Sequence, residues 1–277
     1  MLVPLLLAAL GSLGPAGDGA LLEWSELPPL PDAIGRAGAF VGVSNDALIV
    51  AGGANFPAGR PWDGHPKVWY ADAFVLTAPT AEWLHFEGVL PEPLAYGVAA
   101  QHEGTMFIAG GGNAEHHTDQ IAKLEWDGEA LEWTPFATLW KPAAFTCGTI
   151  VNELLVVYGG LESPEATEPI GDLMFTELGD RRSSRAFTRT PLRARQLAVA
   201  GAWNNHLFIF SGVGLEEREG DPSHRVYLSD SWKIDLSFET PGSLWDLQWE
   251  RIADTPRPLP GAPSPAFQLG SEHLVIF

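Results

Sequence analysis

Five short apolar runs recur along the chain in similar surroundings: "DALIVAGG", "GTMFIAGGG", "ELLVVYGG", "NHLFIFSG" and "EHLVIF". Each is preceded by a small, apolar run ("GRAGAFVGV", "LAYGVAAQ", "PAAFTCGTIV", "RQLAVAGAW", "GAPSPAFQL") and a polar turn ("SND", "HEG", "VNE", "WNN", "GSE"). The first four are followed by a third β-rich run ("WYADAFVL", "TDQIAKLEW", "IGDLMFTEL", "YLSDSWKID"). A fourth run then carries Trp, or in one copy Phe, and leads toward Pro. Short β-rich runs bounded by turn residues predict strands. The order repeats every 50 to 60 residues or so, a period of kelch-type propeller blades.

The pattern therefore predicts an all-β fold, a kelch-type β-propeller with four antiparallel strands per blade. Blades are expected at 35–90, 94–141, 142–191 and 192–256, with a half-blade at 261–277, together one propeller over 21–277. The glycines Gly52-Gly53, Gly110-Gly111 and Gly159-Gly160, with Ser211-Gly212 in the fourth copy, are expected where backbones approach closely and φ turns positive. Trp83, Trp133 and Trp249 are expected to pack between blades. The stretch 22–31, "LEWSELPPLP", resembles a fourth strand and is expected to complete a last blade begun at the other terminus. The copy count predicts six blades in a full protein, and hence that this sequence is a C-terminally truncated piece. "GLEEREGDPSH" is expected to be a solvated loop.

Charge narrows the partners. Lys and Arg total 16 against 35 Asp and Glu, a net charge of -19 over 277 residues. Such a surface repels phosphate backbones and anionic membranes, so neither nucleic acid nor a membrane is expected as partner. The single cysteine, Cys147, sits in an apolar run and reads as a small core residue. Residues 1–20, "MLVPLLLAALGSLGPAGDGA", carry an apolar run too short to span a bilayer. With the small residues behind it, the run reads as a secretory signal. An extracytoplasmic location, periplasmic or secreted, is the expectation.

The stretch "GRAGAFVGVSNDALIVAGGANFPAGRPWDGHPKVWYADAFVL" resembles the kelch-repeat sialic-acid mutarotases, the N-acetylneuraminate epimerases. "LAYGVAAQHEGTMFIAGGG" is similar to the blade that follows it in that family. Because these blades open the chain, the resemblance is to the cyclically permuted branch. It implies a sugar mutarotase or epimerase that interconverts anomers of a sialic acid or related sugar by acid/base ring opening, with no cofactor and no metal. The family's catalytic segment, a Gly-Glu pair followed by Arg, is expected on a blade after "HLVIF", so the resemblance transfers no catalytic residue to this sequence.

Position selects the candidate ligands of a small sialic-acid-like sugar. Asn55 and Phe56 follow the first glycine pair, where an amide and a ring could meet a sugar, and Lys67 and Trp69 close the same loop. Arg36 and Arg195 stand at the start of first strands, with Tyr96 in the corresponding place of the second blade. An arginine fork suits a carboxylate. For each of these residues a structural role is the competing reading: a hydrogen bond to a neighbouring blade for the arginines, a turn for Asn55, packing for Trp69. His116 and His117 are adjacent and, on a strand, face opposite ways. A non-catalytic propeller that binds glycan or protein is the alternative function on the same fold.

Overall fold

The computed structural model describes residues 24–179, 185–237, 247–261, 266–270 and 273–276. The leader-like segment 1–20 lies outside them. Phe40–Ser44 (β1) and Ala47–Ala51 (β2) pair across the turn Asn45-Asp46. Beyond the first glycine pair, Ala54–Asn55 (β3) and Val68–Trp69 (β4) form a small hairpin, and Ala73–Leu76 (β5) and Leu84–Phe86 (β6) complete a sheet of order β1-β2-β5-β6. Val98–His102 (β7), Thr105–Ala109 (β8), Gln120–Trp126 (β9) and Leu131–Thr138 (β10) make the second sheet in sequence order. Cys147–Val151 (β11), Leu154–Tyr158 (β12), Asp172–Glu177 (β13) and Arg185–Arg189 (β14) make the third. Val199–Trp203 (β15), His206–Arg218 (β16), Asp221–Asp235 (β17) and Trp249–Ile252 (β18) make the fourth, and Phe267–Leu269 (β19) pairs with His273–Val275 (β20).

Local chemistry explains the first hairpin of each blade. Asn45-Asp46, Glu103-Gly104, Asn152-Glu153 and Asn204-Asn205 all have positive φ at both turn residues. This is the type I′ geometry that matches strand twist, and it favours Asn, Asp and Gly.

The sheets are blades around an axis. First strands touch in series, β1 to β7 to β11 to β15 to β19. The cores lie between blades rather than within them. Phe40, Ile49 and Val75 of the first blade pack with Met106, Leu124 and Trp126 of the second. Val98 and Phe107 meet Leu155 and Met174, and Val156 and Phe175 meet Ile209 and Ile234. Val199 and Phe208 meet Ala266, with Leu274 packed against them. Each such side chain contributes about 1.5–3 kcal/mol by leaving water. Trp133 and Trp249 pack against these layers, while Trp83 donates Nε1–H to the Pro28 carbonyl at 2.9 Å.

The glycine pairs are docking points. The N–H of Gly53, Gly111 and Gly160 reaches the carbonyl of Leu94, Ala143 and Arg195 in the next blade at 2.8, 2.8 and 2.9 Å. A Cβ on Gly52, Gly110 or Gly159 would collide with that same carbonyl. Ser211 replaces the first glycine in the fourth blade at φ 57. Its Oγ accepts from the Leu259 N–H at 2.6 Å and donates to the Leu228 carbonyl at 2.8 Å.

A second backbone ladder runs from blade to blade beside the first strands. Tyr96 N–H donates to Gly38 O (2.8 Å), Phe145 N–H to Tyr96 O (2.7 Å), Leu197 N–H to Phe145 O (2.8 Å) and Gly261 N–H to Leu197 O (2.8 Å). Gly38, Tyr96, Phe145 and Leu197 all adopt positive φ, between 55 and 65°. For a non-glycine residue that conformation costs about 1–2 kcal/mol.

Two sequence expectations change. "GLEEREGDPSH" is not a loop: β16 and β17 continue as a long hairpin around Gly220, whose φ of 80° closes a two-residue turn between Arg218 and Asp221. Polar composition suggested solvent, but a hairpin with both faces wet is also polar. Residues 24–31, the described part of the expected closing strand, lie outside any strand. Pro28, Pro29 and Pro31 remove the N–H donors a ladder needs.

Candidate functional site

Arg36 and Arg195 occupy one structural position in two blades, and each is closed on its own blade. Arg195 donates Nη1–H to Asp230 and to the Ser211 carbonyl, Nη2–H to the other Asp230 oxygen, and Nε–H to the Arg193 carbonyl, at 2.8–2.9 Å. Arg36 repeats the scheme with Asp72 and the Gly52 carbonyl, and its Nε meets Asp32 at 2.8 Å. Burial opposes both charges, yet the hydrogen bonds outweigh it: the arginine pKa values rise, and those of Asp72 and Asp230 are held below the usual carboxylate range. The forks proposed for a ligand are thus occupied by structural carboxylates. The bridges Ala37–Ala54, Ala95–Gly112, Ala144–Leu161 and Gln196–Val213 recur once within each blade and so mark equivalent positions in the four. They put Leu94 and Ala143 at the arginine position, and align Tyr96 with Gly38 rather than with Arg36.

A different group converges at the loop end of the glycine strands. Lys67 Nζ lies 2.6 Å from Tyr96 Oη. It sits 4.2 Å from the centroid of the Tyr96 ring, 5.2 Å from Trp69 and 6.0 Å from Phe56. No described carboxylate lies within ion-pair distance of it. Burial lowers the Lys67 pKa and raises that of Tyr96. A half-buried ammonium boxed by aromatic rings has the chemistry to take an anion as hydrogen-bond acceptor. The β3–β4 hairpin positions it, because Ala54 pairs with Trp69 and Asn55 with Val68. Asn55 is buried and supports the hairpin: Nδ2 donates to the Gly35 carbonyl at 2.9 Å, and Oδ1 accepts from Tyr70 Oη at 2.7 Å. The structure therefore brings Phe56, Lys67, Trp69 and Tyr96 together, uses Asn55 as their support, and directs Arg36 and Arg195 elsewhere.

Sequence reasoning missed two members. Phe145 stacks on Tyr96 with ring centroids 4.6 Å apart, and His117 meets Phe145 edge-on at 5.9 Å. The copies carried the signal: aligned by column, Gly38, Tyr96, Phe145 and Leu197 are one position. His117 is buried with Nδ1 2.8 Å from the Leu161 carbonyl, and burial lowers its pKa. His116 is exposed and pairs with Glu92. Among the described residues no three His, Cys, Asp or Glu gather as metal ligands. Cys147 is fully enclosed and its thiol is pushed up to about 12 by burial, which makes it core rather than nucleophile.

The family model for N-acetylneuraminate epimerase matches residues 14–133. The chain is similar to the N-acetylneuraminate epimerases. The enzyme of that name from Yersinia enterocolitica is 36% identical over 130 residues, covering 41% of this chain and 32% of the relative. The one from Brucella suis is also 36% identical over 130 residues, with the same coverage. The match thus spans about a third of the length of these curated relatives, 32%. The family-model match contains Asn55, Phe56, Lys67, Trp69 and Tyr96, but neither Phe145 nor Arg195. A solved structure titled "Structure of YjhT" has a TM-score of 0.67 at 13% identity, covering 85% of this chain and 75% of that one. At that identity the likeness speaks for the fold.

Proposed function

We propose that the chain contributes the anion-binding part of a sugar mutarotase acting on a sialic acid or a related acidic sugar. The observation that carries this is Lys67, a cation with no carboxylate within ion-pair distance among the described residues, boxed by Phe56, Trp69 and Tyr96 within the stretch that matches the epimerase family. A sugar carboxylate supplies the missing counter-charge, and the rings suit the C–H face of a pyranose. The Tyr96 hydroxyl, taking a hydrogen bond from Lys67, keeps its own proton to donate. Mutarotation itself opens a hemiketal: a base takes the anomeric hydroxyl proton, and an acid protonates the ring oxygen. No residue is assigned to these two roles.

NMR on the protein with N-acetylneuraminate separates the readings. Saturation transfer to the sugar together with accelerated anomer exchange, both lost in Lys67→Met, supports a mutarotase. Transfer without acceleration supports a glycan-binding propeller instead. Neither effect in the wild type removes both.

A further inference from the structure

Lys67 differs from the other lysines of the chain, which are Lys123, Lys141 and Lys233. Lys141 Nζ lies 3.5 Å from both Glu162 and Asp172, and Lys233 Nζ lies 3.0 Å from Glu250. A carboxylate at that distance favours the ammonium form. Lys123 lies over the Phe107 and Phe136 rings, 5.7 and 5.3 Å from their centroids. Among the described residues only Lys67 combines an aromatic cage with a hydroxyl, Tyr96 Oη, 2.6 Å from Nζ. Burial lowers the Lys67 pKa, so its free amine forms at a lower pH than on a solvated lysine. Its backbone is held, because the next residue, Val68, pairs with Asn55. Tyr96 is held as well: its ring stacks on Phe145 with centroids 4.6 Å apart, and its N–H donates to the Gly38 carbonyl. The φ of Tyr96 is 65°, a conformation bulky residues rarely adopt, and such strain tends to be kept where a side chain serves a site. Burial raises the Tyr96 pKa, so the hydroxyl holds its proton at neutral pH.

We propose that Lys67 is an amine nucleophile that forms a reversible iminium with the free carbonyl of an open-chain sugar, with Tyr96 as its proton shuttle. Such a role goes beyond anion binding, since it uses the neutral amine rather than the cation. A lysine desolvated among apolar groups is suited to Schiff-base chemistry. The Nζ lone pair attacks the carbonyl carbon. The C=O π pair moves to the oxygen, which takes the Tyr96 proton. The phenolate then takes a proton from the nitrogen and leaves a neutral carbinolamine. Next the nitrogen lone pair forms the C=N bond. The carbon–oxygen bond breaks as the oxygen takes the Tyr96 proton again and departs as water. Iminium and phenolate then stand side by side, and attack by water runs the sequence backward. Nothing is oxidised or reduced.

The test traps the iminium. The full chain is incubated near neutral pH with glyceraldehyde, a sugar too short to close a stable ring, and with cyanoborohydride, which reduces an iminium to a stable secondary amine. Peptide mass spectrometry then follows labelling at each lysine. Lys67 is expected to react at least ~10-fold faster than Lys123, Lys141 or Lys233, within the ~100-fold or more that a positioned proton donor contributes. Tyr96→Phe keeps the ring and removes the hydroxyl, and it is expected to abolish most of that excess. Lys67→Arg keeps the charge without the amine, and its peptide is expected to carry no adduct. Labelling of Lys67 no faster than of the other lysines overturns the proposal, and so does a fast rate that Tyr96→Phe leaves unchanged. The comparison among wild-type lysines needs no variant, so a variant that fails to fold does not shield the proposal from refutation. Glyceraldehyde carries no carboxylate, so either failure leaves the acidic-sugar reading standing, and that reading falls instead on the NMR experiment with N-acetylneuraminate.

Discussion

Arg195 and Asp230 form a closed pair: Nη1 and Nη2 each lie 2.8 Å from a separate carboxylate oxygen. The arginine side chain is fully buried, and Trp232 Nε1 adds a third donor to the aspartate at 2.6 Å. Its counterpart, Arg36 with Asp72, also stacks its guanidinium on Tyr70, 4.1 Å from the ring centroid. The two pairs tie the segment leading into a blade's first strand to the start of its third strand or to that strand itself.

Breaking such a pair strands a buried charge. Asp230→Ala is expected to destabilise the fold by about 3–5 kcal/mol, read by urea unfolding. Arg195→Ala should act on stability in the same way and leave sugar binding per folded molecule unchanged. The pH dependence has a definite sign. Burial works against the Asp230 charge, but Arg195 and Trp232 outweigh it, so its folded pKa is depressed. The pair's contribution is therefore present at neutral pH and is lost only as pH falls below about 4. A loss of this contribution centred near neutrality would contradict the assignment.

Lys67→Met should separate binding from folding. The substitution removes a desolvated ammonium that pairs with no carboxylate among the described residues, so the urea midpoint is expected to stay or rise. Affinity for N-acetylneuraminate should drop about 10-fold or more, the scale of one charged hydrogen bond. A parallel loss of stability would make Lys67 a structural residue.

Binding and stability should move in opposite directions with alkali. Burial depresses the Lys67 pKa in the free protein, so an anionic ligand loses its partner as pH rises through that value, below the ordinary lysine value of about 10.4. Over the same window the unfolded chain holds the proton that the folded chain has released, so ligand-free stability rises. Calorimetry and urea unfolding at several pH values below about 10 check both slopes, before Tyr96, whose pKa burial raises, begins to titrate.

Gly110→Ala is expected to cost more than Gly88→Ala. Both glycines have φ of 63°, but a Cβ on Gly88 meets nothing within 4 Å, whereas on Gly110 it meets the Ala143 carbonyl of the next blade. The Gly88 change therefore isolates the backbone cost of about 1–2 kcal/mol. The excess at Gly110 measures the blade contact, and equal costs would dismiss it.

Much of the fold was legible because its signals are local. The I′ turns announce themselves in "SND" and "WNN", and the glycine pairs fall where blades approach. The long β16–β17 hairpin was not legible, since a strand pair wet on both faces has the composition of a loop. The site was legible in part: Phe56, Lys67, Trp69 and Tyr96 follow from their nearness to the glycine strands. The arginines misled because their partners lie 36 and 35 residues away, and a fork suited to a ligand carboxylate suits Asp72 and Asp230 equally.

The sequence by itself determined the strand pattern, the turn chemistry and the repeat, because each depends on residues close along the chain. Only the tertiary structure decided which charges pair and which has no ion-pair partner among the described residues. Desolvation and counter-charge are set by packing: three aromatic rings surround Lys67, while Arg195 meets Asp230 inside its own blade. The tertiary structure likewise turned one repeat column, Gly38, Tyr96, Phe145 and Leu197, into adjoining steps of the axial ladder, because first strands of successive blades touch there.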